Sequence, residues 1–401
     1  MKTQQNGSAV SGPLAGVKVT DFSSVISGSY AGAVLGDMGA EVTKLESLHG
    51  DLARRWGPFL AGESGLFQGW NRSKRGIAVN LRTDAGREIA YALVRESDIV
   101  IENFRQGVSE KLKIDYETLR GLNPGIIYCS VAGFGSRGPY SALPAFDPLL
   151  QSMSGSARRH VSHVGCDRKA CVYPGVAYTD FGAALLCAGG ILAALYHREK
   201  TGEGQKLETS LLQAAMAMQP HFFVEALDVA PEAAPGIYPY NYYDTKDDVI
   251  FIAAGTDAFW QRLCEAIGAP ELAEKEKYST NTGRFANKDE LQEKLQSYLS
   301  HNTTAEWLKI LTDKGVPCAP ALTYEEFFDH PQVEAMGMSI VAQHSRIGRV
   351  RLWGMPIDFE KTPAKIKRTA PSLGEHTDEI LRELGYDDTA IKTLREEGVV
   401  K

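Results

Sequence analysis

Between residues 17 and 131, short β-branched runs alternate with helical stretches, and this alternation restricts the possible folds more than any other feature of the chain. VKVTDF at 17–22 reads as a strand; a loop rich in Gly and Ser follows, then a helical stretch at 30–38 and a second strand, EVTKLE, at 41–46. That is a βαβ unit. The pattern returns with a helix expected at 85–95, a strand at 98–102, a helix at 109–113 and a strand at 126–131. Repetition of this kind predicts an α/β fold: a mostly parallel, Rossmann-like sheet with helices on both faces. Ligands of such sheets lie beyond the carboxyl ends of the strands. The loop after the first strand, SGSYAG at 27–32, lacks the spacing G-x-G-x-x-G, which argues against a dinucleotide dehydrogenase and leaves the cofactor open.

At 401 residues the chain exceeds what one hydrophobic core comfortably supports, so two domains are expected. A strongly apolar helix is predicted from just after Asp180 to about Arg198, then a strand at 205–209 and a helix at 210–225. The segment 228–239, rich in Ala and Pro, reads as a linker. Beyond it a hairpin expected in NYYDTKDDVIFIAAG and helices expected at 258–267, 288–299 and 304–314 predict a smaller α+β domain. A strand at 349–353 and a polar helix at 377–384 close the chain.

The formal charge of −7 argues against general affinity for nucleic acid or an anionic membrane, so any phosphate site must be local. The first dozen residues are polar and small, without an apolar h-region, and a cytoplasmic location is expected. The apolar stretch at 181–196 carries three glycines and falls short of the roughly 20 residues that span a bilayer. It reads as a buried helix. Six scattered cysteines suit reduced thiols. Among them, His160, His163, Cys166 and Cys171 fall close together, but the spacing H-x2-H-x2-C-x4-C in an aperiodic stretch reads as a loop, and no metal site is expected.

Several motifs then occur in order: PLAGVKV (13–19), GDMGAEVTKLE (36–46), NRSKR (71–75), ENFR (102–105), GFGSRGP (133–139), HREKTGEGQ (197–205) and GEHT (374–377). Together they resemble the family III CoA-transferases, the formyl-CoA transferase and carnitine-CoA transferase (CaiB/BaiF) type. The resemblance implies a catalytic aspartate at Asp180, in YTDFG at 178–182. A carboxylate at a helix N-terminus is stabilised by free N–H groups and the helix dipole, so it is expected to stay ionised as a nucleophile. Asp before an apolar helix is also a common N-cap, and the two roles are compatible. The implied reaction moves CoA from an acyl-CoA to a free carboxylic acid through a mixed anhydride and an aspartyl-CoA thioester on Asp180. Coenzyme A is then a substrate, and no permanently bound cofactor is expected. The loops around Gly28 and Gly135 are candidate oxyanion donors.

The resemblance places phosphate contacts at Lys74, Arg75, Arg105 and Lys111, and sets Ser24, Val25 and Ile26 at the thiol end of CoA. Arg137, between glycines after a strand, is a further phosphate candidate from the sequence itself. The resemblance further implies a homodimer of two chains threaded like linked rings. The expected large domain is 1–225 with 340–401, the small one 240–325, and the linkers 226–239 and 326–339.

Two departures from the family pattern bear on substrate. Ile26 stands where formyl-CoA transferase has glutamine, and the second domain has no G-G-G-G run, which argues against formyl or oxalyl transfer. With Trp56, Phe59 and Phe67 near in sequence, Ile26 fits a larger or less polar acyl group. The main alternative is an α-methylacyl-CoA racemase, which shares the fold and uses a His and Asp pair; here Phe146 takes the histidine position and cannot accept a proton. A CoA-binding protein without catalysis is the other alternative, and retention of Asp180 argues against it.

Overall fold

The expected alternation closes into one six-stranded sheet. In this computed structural model, which describes residues 12–158, 175–229 and 235–401, the strands are β1 (Lys18–Asp21), β2 (Glu41–Glu46), β3 (Lys74–Ala78), β4 (Ile99–Glu102), β5 (Ile127–Ala132) and β6 (Lys206–Ser210). They pair in the order β3-β2-β1-β4-β5-β6, every pair parallel. The strand order reverses between β1 and β4, which opens the switch-point crevice where ligands of open α/β sheets bind. The cluster of His160, His163, Cys166 and Cys171 lies outside the described residues.

Strand β3 and the helix after β6 differ from expectation. Strand β3 is hidden in the sequence because Lys74 and Arg75 open it, and only GIA behind them is apolar. The helix expected at 210–225 ends at Ala217; Pro220 lacks an N–H to continue the ladder and begins a separate 3-10 turn.

Helix α1 (Ser27–Asp37) is buried on nearly every side, which its run of Gly, Ala and Ser permits. At Gly32 a Cβ would stand 3.0 Å from Asp21 Oδ2 and 3.3 Å from Lys74 Nζ, so only glycine lets the helix approach that ion pair. Helix α2 (Gly65–Asn71) follows β2, and α3 (Asp84–Arg95) is started by Thr83, whose hydroxyl accepts from Gly86 N. Helix α4 (Asp147–Met153) precedes the long apolar α5 (Tyr178–Thr201). One face of α5 buries Ala183, Ala184, Cys187, Ile191 and Ala194 in the core shared with α1, β1, β4 and β5. Each fully buried Leu or Ile there contributes roughly 1.5–3 kcal/mol. Helix α6 (Leu211–Ala217) follows β6.

The chain forms two compact units, one from Met1–Val224 with Met336–Lys401 and the other from Glu225–Ala335. In the second unit β7 (Tyr240–Asp244) and β8 (Val249–Ala253) form the expected hairpin, and β9 (Cys318–Pro320) adds antiparallel to β8. Arg284 is fully buried there and donates to the carbonyls of Tyr238, Tyr278 and Gly255 and to Asp257. Back in the first unit, β10 (Ser339–His344) pairs antiparallel with β11 (Gly348–Trp353). The guanidinium of Arg72 lies 3.4 Å from the Trp353 ring centroid and pairs with Asp37 at 2.8 Å.

Candidate active site

Two adjoining cavities occupy the carboxyl ends of the parallel strands. The first, about 360 Å³, is lined by the loop after β1 (Ser24, Val25, Ser27), the loop after β4 (Asn103, Phe104, Arg105), the loop after β5 (Gly133, Gly135, Ser136), Phe146 and Asp180. The second, about 530 Å³ and more apolar in its walls, lies toward β2 and β3 and is lined by Phe22, Leu45, His49, Asp51, Val79 and Arg82, among others. Ser24 and Phe104 belong to both. A long ligand with one wide apolar end and one narrow reactive end matches this pair of spaces.

Asp180 is the third residue of α5 and is only 9% exposed. It is not the N-cap: that position is Ala177, which offers no side-chain acceptor. Nor does the helix end keep Asp180 strongly ionised, as expected from sequence. Burial, and after it the charge of Asp147, push its carboxyl from 3.8 up to about 7. Asp147 at the start of α4 takes over the capping role. Its Oδ1 accepts from Thr179 N at 2.8 Å and Thr179 Oγ1 at 2.5 Å, and its Oδ2 accepts from Gln151 Nε2 at 2.6 Å. Those donors hold Asp147 as an acceptor. They also fix Thr179, the residue before Asp180.

The loop after β1 faces Asp180 across an apolar wall, for Val25 and Ile26 belong to one cluster with Trp56, Phe67, Trp70, Ala177 and Phe181. Asn103 holds this loop at two points. Its Oδ1 accepts from Ser24 N at 2.8 Å and its Nδ2 donates to Ser24 O at 2.7 Å. Helix α1 begins at Ser27 without a side-chain cap at Ile26, which leaves first-turn N–H groups for a ligand. In the loop after β5, by contrast, Ser136 N already donates to Glu208 Oε1 at 2.8 Å.

The basic residues singled out from sequence separate into two groups. Arg105 lines the first cavity. Lys111 is exposed on the short helix Val108–Leu112, whose Val108 and Leu112 line the second. Arg137 is exposed in the loop whose Gly135 and Ser136 line the first. Lys74 and Arg75 are placed elsewhere. Lys74 is fully buried, and all three of its donors are engaged, by Asp21 Oδ2 at 2.8 Å, Ser29 O at 2.6 Å and Asn71 Oδ1 at 2.8 Å. Arg75 pairs with Glu379 at 2.9 Å and Glu383 at 2.6 Å, beside Lys18 and Glu41, the first residues of β1 and β2. It therefore stands at the amino ends of the strands, a strand length from the cleft. Neither side chain reaches the two cavities.

Residues 14–377 match CoA-transferase family III. The chain belongs to that family. The human succinyl-CoA:glutarate CoA-transferase is 36% identical over 397 residues, covering 97% of this chain and 90% of its own length. The succinyl-CoA:mesaconate CoA-transferase of Haloarcula marismortui is 35% identical over 395 residues, covering 94% and 97%. The crystal structure of a CAIB/BAIF family protein from Brucella suis has a TM-score of 0.83 at 34% identity and covers 93% of this chain and 100% of its own. This family III member is thus a transferase enzyme with CoA thioesters among its substrates.

Sequence reasoning missed Asn103, Asp147 and Arg82. Asn103 sits inside the ENFR motif and was passed over for Arg105, although a polar residue directly after a buried parallel strand is where ligand loops begin. Asp147 follows Phe146 directly, but its contact with Thr179, 32 positions away, has no local signal in the sequence. Arg82 follows the unrecognised strand β3, so nothing in the sequence placed it at the carboxyl edge.

Proposed function

We propose that Asp180 carries the CoA-transfer reaction as a covalent relay. Its Oδ attacks the carbonyl carbon of an acyl-CoA, the C–S bond breaks, and the CoA thiolate leaves a mixed anhydride. The thiolate then attacks the aspartyl carbonyl, releasing the donor acid and leaving an aspartyl-CoA thioester. The acceptor carboxylate repeats the two exchanges in reverse and returns Asp180 as a carboxylate. No ATP is needed, because the acyl activation is stored on the enzyme throughout. A carboxyl held near 7 is a stronger nucleophile than an ordinary carboxylate and is still about half ionised at neutral pH.

The observation that carries this reading is a buried, raised carboxylate lining a cleft at the strand ends. The first-turn N–H groups of α1 are the proposed oxyanion donors, since Ser27 and Asp180 line the same cavity. Pantetheine lies in the first cavity and the adenosine end in the second, with Arg105 and Arg82 at the phosphates. The test is direct. Hydroxylamine added with acyl-CoA should convert Asp180 to a hydroxamate seen by mass spectrometry, and Asp180→Ala should abolish exchange. Exchange at full speed in Asp180→Ala would end the proposal.

For substrates, the relatives' names support a succinyl-CoA donor and a dicarboxylic acceptor such as glutarate or mesaconate. A panel of acids against succinyl-CoA checks this. The working form is a homodimer with chains passed through one another. Leu185 and Tyr196 of α5, at 53% and 68% exposure, and Met216 of α6, at 48%, support an interface on that face. Light scattering should return twice the chain mass.

A further inference from the structure

The loop between β1 and α1 is held in a conformation its sequence disfavours. Val25 has φ 64°, in the left-handed region, where a β-branched side chain crowds the backbone. Such a residue persists only where its surroundings over-determine it. Here the surroundings converge on Asp51, whose side chain is 1% exposed. Its Oδ1 accepts from Val25 N at 3.0 Å, from Ser24 Oγ at 2.9 Å and from Ala53 N at 2.9 Å. Its Oδ2 is 3.1 Å from Lys44 Nζ. Lys44 is itself fully buried and donates to Ser23 O and Ser29 Oγ, so it ties Asp51 to the start of the loop and to the first turn of α1. Burial alone would raise the Asp51 carboxyl, but Lys44 and the Ala53 and Val25 N–H groups outweigh it and hold the carboxyl below its ordinary value.

Resting on the assignment of Asp180 as the relay, we infer that Asp51 is a positioning residue for CoA transfer: anchored by Lys44, its carboxylate pins Ser24 and Val25 in the left-handed turn that aims the first N–H groups of α1 into the cleft with Asp180. Asp51 lines the second cavity and not the first. It acts on the chemistry through the loop and does not touch the reacting atoms. Binding in the second cavity and acyl transfer in the first therefore meet at one side chain, a route by which contacts remote from the thioester favour its transition state.

Single-turnover formation of the Asp180 adduct with saturating succinyl-CoA, followed by quenched-flow mass spectrometry on the intact enzyme, separates the outcomes. The rate constant reports geometry at each active site, whereas the amplitude reports the fraction of folded enzyme. Wild type must form the adduct; its absence would refute the Asp180 relay itself. In Asp51→Asn the rate constant should fall by at least about 30-fold while half-saturation moves less than about threefold. Adding Val25→Gly to that variant should recover at least about fivefold, because glycine adopts the left-handed turn without strain. A rate constant close to wild type with only the amplitude reduced would show a structural role and overturn the inference. So would a fall that glycine does not relieve. Should Asp51→Asn yield no soluble protein, Ser24→Ala, which removes one Asp51 contact and keeps the ion pair, carries the test. A fall of about threefold or more supports the inference and an unchanged rate constant overturns it.

Discussion

Replacing Asp180 by asparagine should destroy activity and stabilise the protein, by an amount the site itself sets. The carboxyl moves from 3.8 to about 7 on folding, driven first by burial and then by Asp147. About three pH units at about 1.4 kcal/mol each is about 4 kcal/mol of folding free energy. The direction follows from a raised folded value. Below pH 4 the carboxyl is neutral in both states and nothing is lost. As pH rises through 4 to 7 the unfolded chain ionises freely, the folded one resists, and stability declines until both are ionised. Asparagine has the same shape and never ionises, so its gain is full above pH 7 and about half as large at pH 5.5. Unfolding entropy of about 2.1 cal/mol/K per residue gives about 0.8 kcal/mol/K for a chain of 401 residues, hence about 5 °C in Tm at pH 8.5. Scanning calorimetry on wild type and Asp180→Asn at pH 5.5 and 8.5 measures both numbers, with exchange activity expected to fall by a factor on the order of 10³ or more. An equal gain at the two pH values, or a lower Tm at pH 8.5, would refute the argument that this carboxylate is held near 7 by burial.

Adduct formation in wild type should rise with pH through about 7 and level off above 8, because only the ionised form of Asp180 attacks. In Asp147→Asn the amide oxygen still accepts from Thr179 while the charge is gone, so the acidic limb should move to lower pH; a limb that stays in place would show that the charge of Asp147 is not felt. Arg105→Ala and Arg82→Ala should each raise KM for succinyl-CoA by roughly 10- to 100-fold with kcat little changed, the loss of one charge-assisted phosphate contact. Arg72→Met leaves Asp37 buried without its cation, and denaturation should show a loss of about 3–5 kcal/mol, far more than an exposed pair would cost.

Much of the fold was legible because its signals are local. The alternation of β-branched runs with helical stretches between 17 and 131 acts over a few residues at a time, and the switch-point crevice follows from the order of the elements. The hairpin at β7 and β8 was readable for the same reason. Strand β3 was not, since its opening Lys74 and Arg75 look like solvent-facing charges. What buries Lys74 is Asp21, 53 positions away, and no periodicity reports such a partner. The candidate site divides in the same way. Asp180 is visible at the head of an apolar helix, whereas its raised carboxyl depends first on burial by the surrounding fold and then on the charge of Asp147, a residue of a different helix.

The chain's own sequence thus determined that a parallel sheet forms, that its candidate site lies at the strand ends, and which aspartate heads the long apolar helix. Each of these is set by side-chain period and by neighbours a few residues off. The tertiary structure alone decided which charges are buried. It put Lys74 beneath α1 and Arg75 at the amino edge, and it closed Asp51 and Asn103 around Ser24, which is 27 and 79 positions from them. The physical reason is that a charge keeps or loses its water according to what folds over it, and those covering groups come from distant parts of the chain.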